Sequence, residues 1–294
     1  KADSLQEIED IYRPFKPKRR TRASIAREKG LEPLAVIIYA QKLTKGDVLL
    51  IASDFIDPEK GVETAEEALA GAMDIIAETI SDNAQYRRAI RELTFKEGVL
   101  ITAAKKEEDS PYRMYYDFKE PVQKILPHRV LAINRGEKEE FLSVKLEAPE
   151  IRIIDWLKSR TLSKTGSIFR DPIEKAIEDA YRRLIAPSIE NEIRGGLTEA
   201  ASEQAIKVFS ENLRNLLLQP PVKGRVVLGL DPAYRTGCKL AVVTETGSVL
   251  HTGVIYPTPP QNKTAEATAA LKALIAKYRV DIIAIGNGTA SRET

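Results

Sequence analysis

The sequence changes its hydrophobic periodicity at the proline pair Pro220–Pro221, and this change constrains the fold more than any other feature. Before the pair, apolar residues recur every three or four positions, as they do on one face of an α-helix. After Lys223, apolar residues come in short runs separated by glycine turns, which is typical of β-strands. The sequence therefore predicts two domains, an α-helical scaffold over residues 1–221 and a sheet-containing domain over residues 222–294.

Two helix ends and one strand can be predicted inside the first domain. Asp171, followed by Pro172, predicts a helix start, and the pair Gly195–Gly196 predicts that this helix ends before another begins over residues 198–219. The segment 141–147 instead alternates apolar and polar residues, as a half-buried strand does. A small β element is therefore predicted among the helices.

The second domain reads as three strands, a helix and a fourth strand. Short turns between the first three runs predict antiparallel neighbours. The helical crossover predicts a fourth strand that lies parallel to the first, with both carboxyl ends at one edge of the sheet. We therefore expect Asp231, which ends the first strand, to meet the turn of residues 286–288, which ends the fourth.

Composition indicates a globular protein of the cytoplasm with no membrane partner. The 45 lysines and arginines nearly balance 43 aspartates and glutamates. The apolar run over residues 34–40 is too short to span a bilayer, and no leader sequence precedes it. A single cysteine, Cys238, and two histidines provide no zinc-ligand spacing. Because residue 1 is a lysine in a segment that is already charged and periodic, we expect the chain to be a piece of a longer protein.

Positive charge is concentrated between residues 13 and 29, where one acid stands among eight basic residues. The candidate nucleic-acid-binding residues of this segment are Lys16, Lys18, Arg19, Arg20 and Arg22. Pro14 and Pro17 make the start of the segment stiff, so these cations cannot all hide on one helix. They can neutralise phosphates, with Tyr12 and Phe15 as a stacking surface.

The alternative is a purely structural role for the same segment. In it, Tyr12 and Phe15 anchor the segment to the core, and the cations pair with Glu7, Glu9 and Asp10.

Several segments resemble one known family. "VLGLDPAYRTGCKLAVVTETG", "IYPTPP" and "IAIGNGTASRET" resemble the YqgF/RuvC-type, RNase H-like domain of the bacterial Tex proteins, the transcription accessory proteins. Upstream, "IYRPFKPKRRTRASIAREKGLEPLA", "RGEKEEFLSVKL", "SIFRDPIEKAI" and "LLLQPP" resemble Tex segments in the same order. The resemblance covers essentially the whole chain.

The resemblance implies a transcription accessory protein that binds RNA, DNA or both, with the transcription machinery among its partners. It also implies an RNase H-like fold of which residues 222–294 are the first half. A helix-hairpin-helix module and an OB-fold RNA-binding domain would follow.

Whether this domain cuts nucleic acid depends on its carboxylates. Two-metal hydrolysis needs several acids that converge on magnesium ions. Asp231 is the candidate catalytic residue and metal ligand, but the fourth strand ends in Gly286 and Asn287, and no acid follows until Glu293. We therefore predict no cofactor and a domain that does not cut. In this interpretation the Asp231 carboxylate closes the following turn by accepting its backbone amides.

Two enzyme classes stay open as alternatives. A metal-dependent nuclease would need magnesium and further acids, beyond residue 294, that converge on Asp231. An actin-like ATPase also has a hairpin after a strand that ends in aspartate. It fits poorly, because bulky Tyr234 and Arg235 occupy the turn where backbone must approach phosphate.

Overall fold

The computed structural model describes residues 5–17, 20–106, 108–164, 166–220 and 222–294. The chain divides into two compact units, one up to Ser210 and the other from Glu211 onward. The first is mainly helical and the second contains a mixed sheet, which confirms the predicted fold class.

Among the described residues, the first unit contains ten α-helices and a small sheet. Its helices are α1 (Leu5–Tyr12), α2 (Arg22–Glu28), α3 (Glu32–Ala40), α4 (Val48–Ser53), α5 (Ala65–Ser81), α6 (Ala84–Glu97), α7 (Pro127–Lys138), α8 (Glu150–Thr161), α9 (Arg170–Asp179) and α10 (Ala186–Leu217), the last of which continues past Ser210. Its strands are β1 (Val99–Ala104), β2 (Asp117–Pro121) and β3 (Leu142–Glu147).

Helix α5 lies in the core of the helical unit. It packs against α2, α3, α4 and α9, and its alanines Ala68, Ala72 and Ala77 are completely buried. Small side chains let neighbouring helices approach closely, so a single helix can contact several others. Thr64 caps the start of α5, where its hydroxyl accepts a hydrogen bond from the Glu67 amide at 3.1 Å.

The predicted β element is part of a three-stranded antiparallel sheet, in the order β2-β1-β3. Strand β3 starts one residue later than predicted and ends at the predicted Glu147, whereas β1 and β2 were not foreseen. The reason is local: β2 reads "DFKEP", and a short, charged segment ending in proline has little strand propensity of its own. Its pairing with β1 makes it a strand.

The prediction that a helix ends at Gly195–Gly196 is wrong. Helix α10 continues through both glycines to Leu217. A glycine ends a helix when it adopts a left-handed conformation, and neither glycine has a positive φ.

The helix start at Asp171 is also displaced. Helix α9 begins at Arg170, so Asp171 lies in its first turn, after the completely buried Phe169. The amide of Phe169 donates to the Ser167 hydroxyl at 3.2 Å, which satisfies the backbone just before the helix.

The second unit has the predicted element order. Its elements are β4 (Val227–Asp231), β5 (Cys238–Val243), β6 (Val249–Ile255), α11 (Thr264–Tyr278) and β7 (Ile282–Ile285). The sheet order is β6-β5-β4-β7, with antiparallel pairs except for the parallel pair β4-β7. The fourth strand therefore lies beside the first, as predicted from the helical crossover.

Candidate nucleic-acid interface

The basic segment comprises the connection between α1 and α2 together with α2, and we call the part from Arg13 to Arg22 the basic connection. A short 3-10 turn, Arg13–Phe15, follows α1 and contains Pro14. The Lys16 amide donates to the carbonyl oxygen of Tyr12 at 3.1 Å, which closes the turn. Helix α2 then begins after Thr21, whose hydroxyl accepts from the Ser24 amide at 3.0 Å while the Thr21 amide donates to the Ser24 hydroxyl. Both ends of the connection are thus defined by local hydrogen bonds.

Part of the positive charge is used inside the protein. Arg13 forms an ion pair with Asp82 at 3.4 Å, and Arg27 forms one with Glu78 at 2.6 Å. The ammonium group of Lys29 donates to the Gly61 carbonyl oxygen at 2.6 Å. These contacts hold the connection against the C-terminal end of α5 and the loop before it, so these three residues have structural roles.

Three other cations of the segment are exposed. Lys16, Arg20 and Arg22 lie on the surface, and none of them forms an ion pair with any residue that the structure describes. Burial raises the pKa of Asp74, and the positive charge of Arg22 opposes this rise. Lys18 and Arg19, the other two predicted binding residues, lie outside the described residues. The three described cations are therefore available to an external anion.

Tyr12 and Phe15 are exposed, and Lys16 directly follows Phe15 in the chain. Tyr12 is 53% exposed and Phe15 is 76% exposed. The alternative in which the two rings anchor the segment to the core is therefore wrong. Two of the acids proposed to neutralise the segment bind other residues: Glu7 pairs with Arg88 at 3.1 Å, and Asp10 pairs with the guanidinium groups of α6.

Helix α1 is attached through a buried network of charges. The Asp10 carboxylate accepts hydrogen bonds from Arg87 at 2.8 Å and from Arg91 at 2.7 Å. On the other side, Glu192 of α10 binds the same two guanidinium groups, at 2.5 and 2.9 Å. Ser188 completes the network by accepting from Arg87 at 2.8 Å.

The network joins α1, α6 and α10. Arg87 is completely buried, and the network supplies acceptors to its Nε and Nη2, while its Nη1 has no hydrogen-bond partner among the described residues. The sequence does not predict this network, because arginines spaced by four on a helix usually indicate a solvated face.

A small cavity lies between the basic connection and α5. It has a volume of about 260 Å³ and is lined by Arg13, Lys16, Pro17, Thr21, Glu78, Ser81, Asp82 and Leu184. Its acidic lining residues, Glu78 and Asp82, pair with Arg27 and Arg13, so the charge of these two arginines is already used inside the protein. The outer surface of the connection, which carries Lys16, Arg20 and Arg22, is the better position for a polyanion.

Asp231 lies where the topology predicts, at the carboxyl edge of the second sheet. The Gly286 amide donates to the Leu230 carbonyl oxygen at 2.9 Å. A Cβ atom on Gly286 would be 3.8 Å from Asp231 Oδ1, so the ends of β4 and β7 bring the carboxylate and the glycine turn together.

The described residues form no metal-binding cluster at Asp231. Among the described residues, no group of three or more histidine, cysteine or acidic side chains could hold a metal ion. Glu293, the next acid along the chain, accepts a hydrogen bond from the Tyr234 hydroxyl at 2.9 Å, and this bond raises the pKa of Tyr234. No catalytic step can be derived for Asp231 from these residues.

The predicted turn-closing role of Asp231 is also wrong. In the described part of the chain, the Asp231 side chain accepts no hydrogen bond from residues 232–237. Gly237 forms the sharp part of this turn, with a φ of +77°. The turn therefore depends on the conformational freedom of glycine rather than on an aspartate side chain.

An α-helical unit followed by an RNase H-like mixed sheet defines a class of multidomain proteins. Comparison of the sequence with protein-family models identifies the family. Residues 46–209 match the Tex central region-like family model, and residues 225–294 match the model of the Tex protein YqgF-like domain. The chain belongs to the Tex family.

Curated relatives from bacteria and animals match the chain along its length. It is 53% identical over 295 residues to protein YdcI of Bacillus subtilis, covering 99% of this chain and 41% of the relative. It is 39% identical over 313 residues to Protein tex of Bordetella pertussis, covering 100% of this chain and 39% of the relative. It is 33% identical over 314 residues to the human S1 RNA-binding domain-containing protein 1, covering 99% of this chain and 30% of the relative. The chain thus spans about two fifths or less of the length of these relatives.

The structure also bears on membranes. Within the described ranges, no helix combines the length and the apolar character that crossing a bilayer requires.

Proposed function

We propose that this chain is part of a nucleic-acid-binding transcription accessory protein that contacts the phosphates of RNA, DNA or both through its basic connection. The observation that carries the proposal is the separation of charge within residues 13–29. Arg13, Arg27 and Lys29 hold the segment in place, while Lys16, Arg20 and Arg22 are exposed without ion pairs. Membership of the Tex family supports the same role.

The physical basis is counterion release. Each lysine or arginine that neutralises a phosphate releases condensed cations from the nucleic acid, which makes binding favourable and sensitive to salt. A lysine or arginine that is already paired within the protein neutralises phosphate less and therefore releases fewer condensed cations from the nucleic acid. Lys16, Arg20 and Arg22 are therefore expected to contribute more affinity than Arg13 or Arg27, although all five belong to one basic segment.

We propose further that residues 1–221 serve as the scaffold and that the RNase H-like domain of residues 222–294 does not cut. Support comes from the residues at the end of β7, where Gly286 and Asn287 stand in place of a carboxylate. Such a protein would work in the cytoplasm with the transcription machinery.

Binding is best tested by fluorescence anisotropy with labelled single-stranded RNA and with duplex DNA. The test variant carries Lys16→Gln, Arg20→Gln and Arg22→Gln. A matched control carries Lys207→Gln, Arg135→Gln and Arg214→Gln, which remove the same charges from other exposed positions that form no ion pair with described residues.

We expect the test variant to bind at least about tenfold more weakly than the wild type, and the control to lose much less. Equal losses in both variants would mean that only net charge matters, and would overturn the assignment of the site.

The absence of cleavage has a separate test. The wild type and an Asp231→Asn variant are incubated with labelled RNA or DNA and magnesium. Equal, background-level cleavage is expected for both. Cleavage by the wild type that the substitution abolishes would establish the nuclease alternative.

A further inference from the structure

Helix α1 exposes its apolar side and buries a charged one. Leu5 is 75% exposed and Ile8 is 52% exposed. Tyr12 and Phe15 follow at the spacing of one helical face. Asp10, in contrast, is 3% exposed, because it binds Arg87 and Arg91. The apolar stripe is therefore an outer surface that the buried charge network keeps turned toward solvent.

The aromatic end of this stripe is held in a fixed position. The Lys16 amide donates to the carbonyl oxygens of Tyr12 at 3.1 Å and of Arg13 at 3.3 Å, which links the two rings through one closed turn. The ion pair between Arg13 and Asp82 ties the same turn to the residue that follows α5. Little ordering is therefore required when a flat ligand packs against Tyr12 or Phe15.

We propose that Tyr12 and Phe15 form a stacking platform for the bases of a single-stranded nucleic acid whose phosphates contact Lys16 and Arg20. The inference rests on the proposed function and specifies its substrate. Nucleobases stack on exposed aromatic rings regardless of sequence. In a duplex their faces are covered by neighbouring bases, so the platform selects unpaired strands.

The charge next to the rings favours a nucleic acid over a protein helix as the occupant. Lys16 directly follows Phe15 in the chain, Arg20 belongs to the same basic segment, and neither forms an ion pair with any described residue. A polyanion satisfies both the rings and the cations.

The test compares three oligonucleotides: a single-stranded RNA, the same strand with abasic sites at successive positions, and a duplex. The abasic strand keeps its phosphates and loses the bases. Affinity is measured for the wild type, for Tyr12→Ala with Phe15→Ala, and for a control with Leu5→Ala and Ile8→Ala. Circular dichroism melts establish that each variant is folded.

We expect the aromatic variant to lose at least about fivefold in affinity per ring for the single strand and much less for the abasic strand or the duplex. The wild type should also prefer the base-containing strand, and Tyr12→Phe should retain most of the affinity. The aliphatic control should bind as the wild type does.

Three results would overturn the inference. If the aromatic variant binds all three ligands normally while the Lys16, Arg20 and Arg22 variant does not, the phosphate contact stands and stacking is excluded. If the aliphatic control loses as much as the aromatic variant, the stripe acts as a protein surface. If sedimentation shows that the alanine substitutions at Tyr12 and Phe15 dissociate a dimer, the occupant is a second copy of the chain.

Discussion

Asp10 keeps its carboxylate almost completely shielded from water, where ion pairs with Arg87 and Arg91 stabilise its charge. Removing one partner of a buried ion pair leaves the other charge uncompensated. We therefore expect Asp10→Ala to lower the free energy of unfolding of the helical unit by about 3–5 kcal/mol. Urea unfolding followed by circular dichroism measures the change.

The neighbouring Glu9 provides the control for this prediction. Its side chain is exposed, so Glu9→Ala should change the unfolding midpoint very little. If both substitutions had equally small effects, the network would not hold α1 in place.

Gly237 is a second residue whose replacement has a defined cost. Its φ is +77°, and a Cβ atom there would lie 2.5 Å from Cε1 of Tyr256. Gly247 also has a positive φ, +86°, but a Cβ atom would meet nothing within 4 Å. Gly247→Ala therefore measures backbone strain alone, and Gly237→Ala measures strain together with a steric clash.

We expect about 1 kcal/mol of destabilisation for Gly247→Ala and a further 1–3 kcal/mol, roughly, for Gly237→Ala. Thermal melts that follow the sheet unit provide the comparison. Equal losses would show that the Tyr256 ring moves aside without cost.

The sequence predicted the exposure of surface cations better than the pairing of buried charges. The exposure of Lys16, Arg20 and Arg22 follows from the prolines and from the density of like charge. The pairing of Asp10 with Arg87 could not be predicted, because the two residues are 77 positions apart and only tertiary packing brings them together.

At the scale of elements, helix α10 is notable because it continues through Gly195–Gly196. Both glycines lie in a helix and a Cβ atom at either would meet nothing within 4 Å. Alanine loses less backbone entropy on folding than glycine does. Gly195→Ala with Gly196→Ala should therefore stabilise the helical unit by about 1–2 kcal/mol.

Differential scanning calorimetry checks this prediction as an increase in the melting temperature. A decrease would mean that the helix is interrupted at the glycines in solution, as their sequence suggests.

A π-helical turn, Ala180–Ile185, precedes Pro187 in the same region. Proline inside a helical pattern predicts a kink. Here the helix is irregular as a π-helical turn before the proline. Burial raises the pKa of Tyr181, in this turn, to about 12. Its hydroxyl therefore stays protonated throughout the physiological pH range.

Elements with a clear period were predicted well from the sequence, and elements defined by pairing were not. The order β4, β5, β6, α11, β7 follows from apolar runs, glycine turns and the handedness of the crossover. Strands β1 and β2 depend on each other, and 12 residues lie between them, so no local signal identifies the pair.

At the scale of the whole molecule, the near balance of acids and bases conceals a local concentration of charge. A net charge of +2 over 294 residues gives no reason to expect a polyanion as partner. The structure separates cations that hold the protein together from cations that face solvent. The second group adjoins two exposed aromatic rings on the same connection.

The central claim is that Lys16, Arg20 and Arg22 contact nucleic-acid phosphates, and the salt dependence of binding tests it most directly. The dissociation constant for a single-stranded RNA is measured over a series of salt concentrations, for the wild type and for the variant with all three residues changed to glutamine. Each lost phosphate contact on a single strand lowers the slope of log affinity against log salt by about 0.7. We expect a slope smaller by about 2 in the variant, whereas an unchanged slope would show that these three residues make no phosphate contacts.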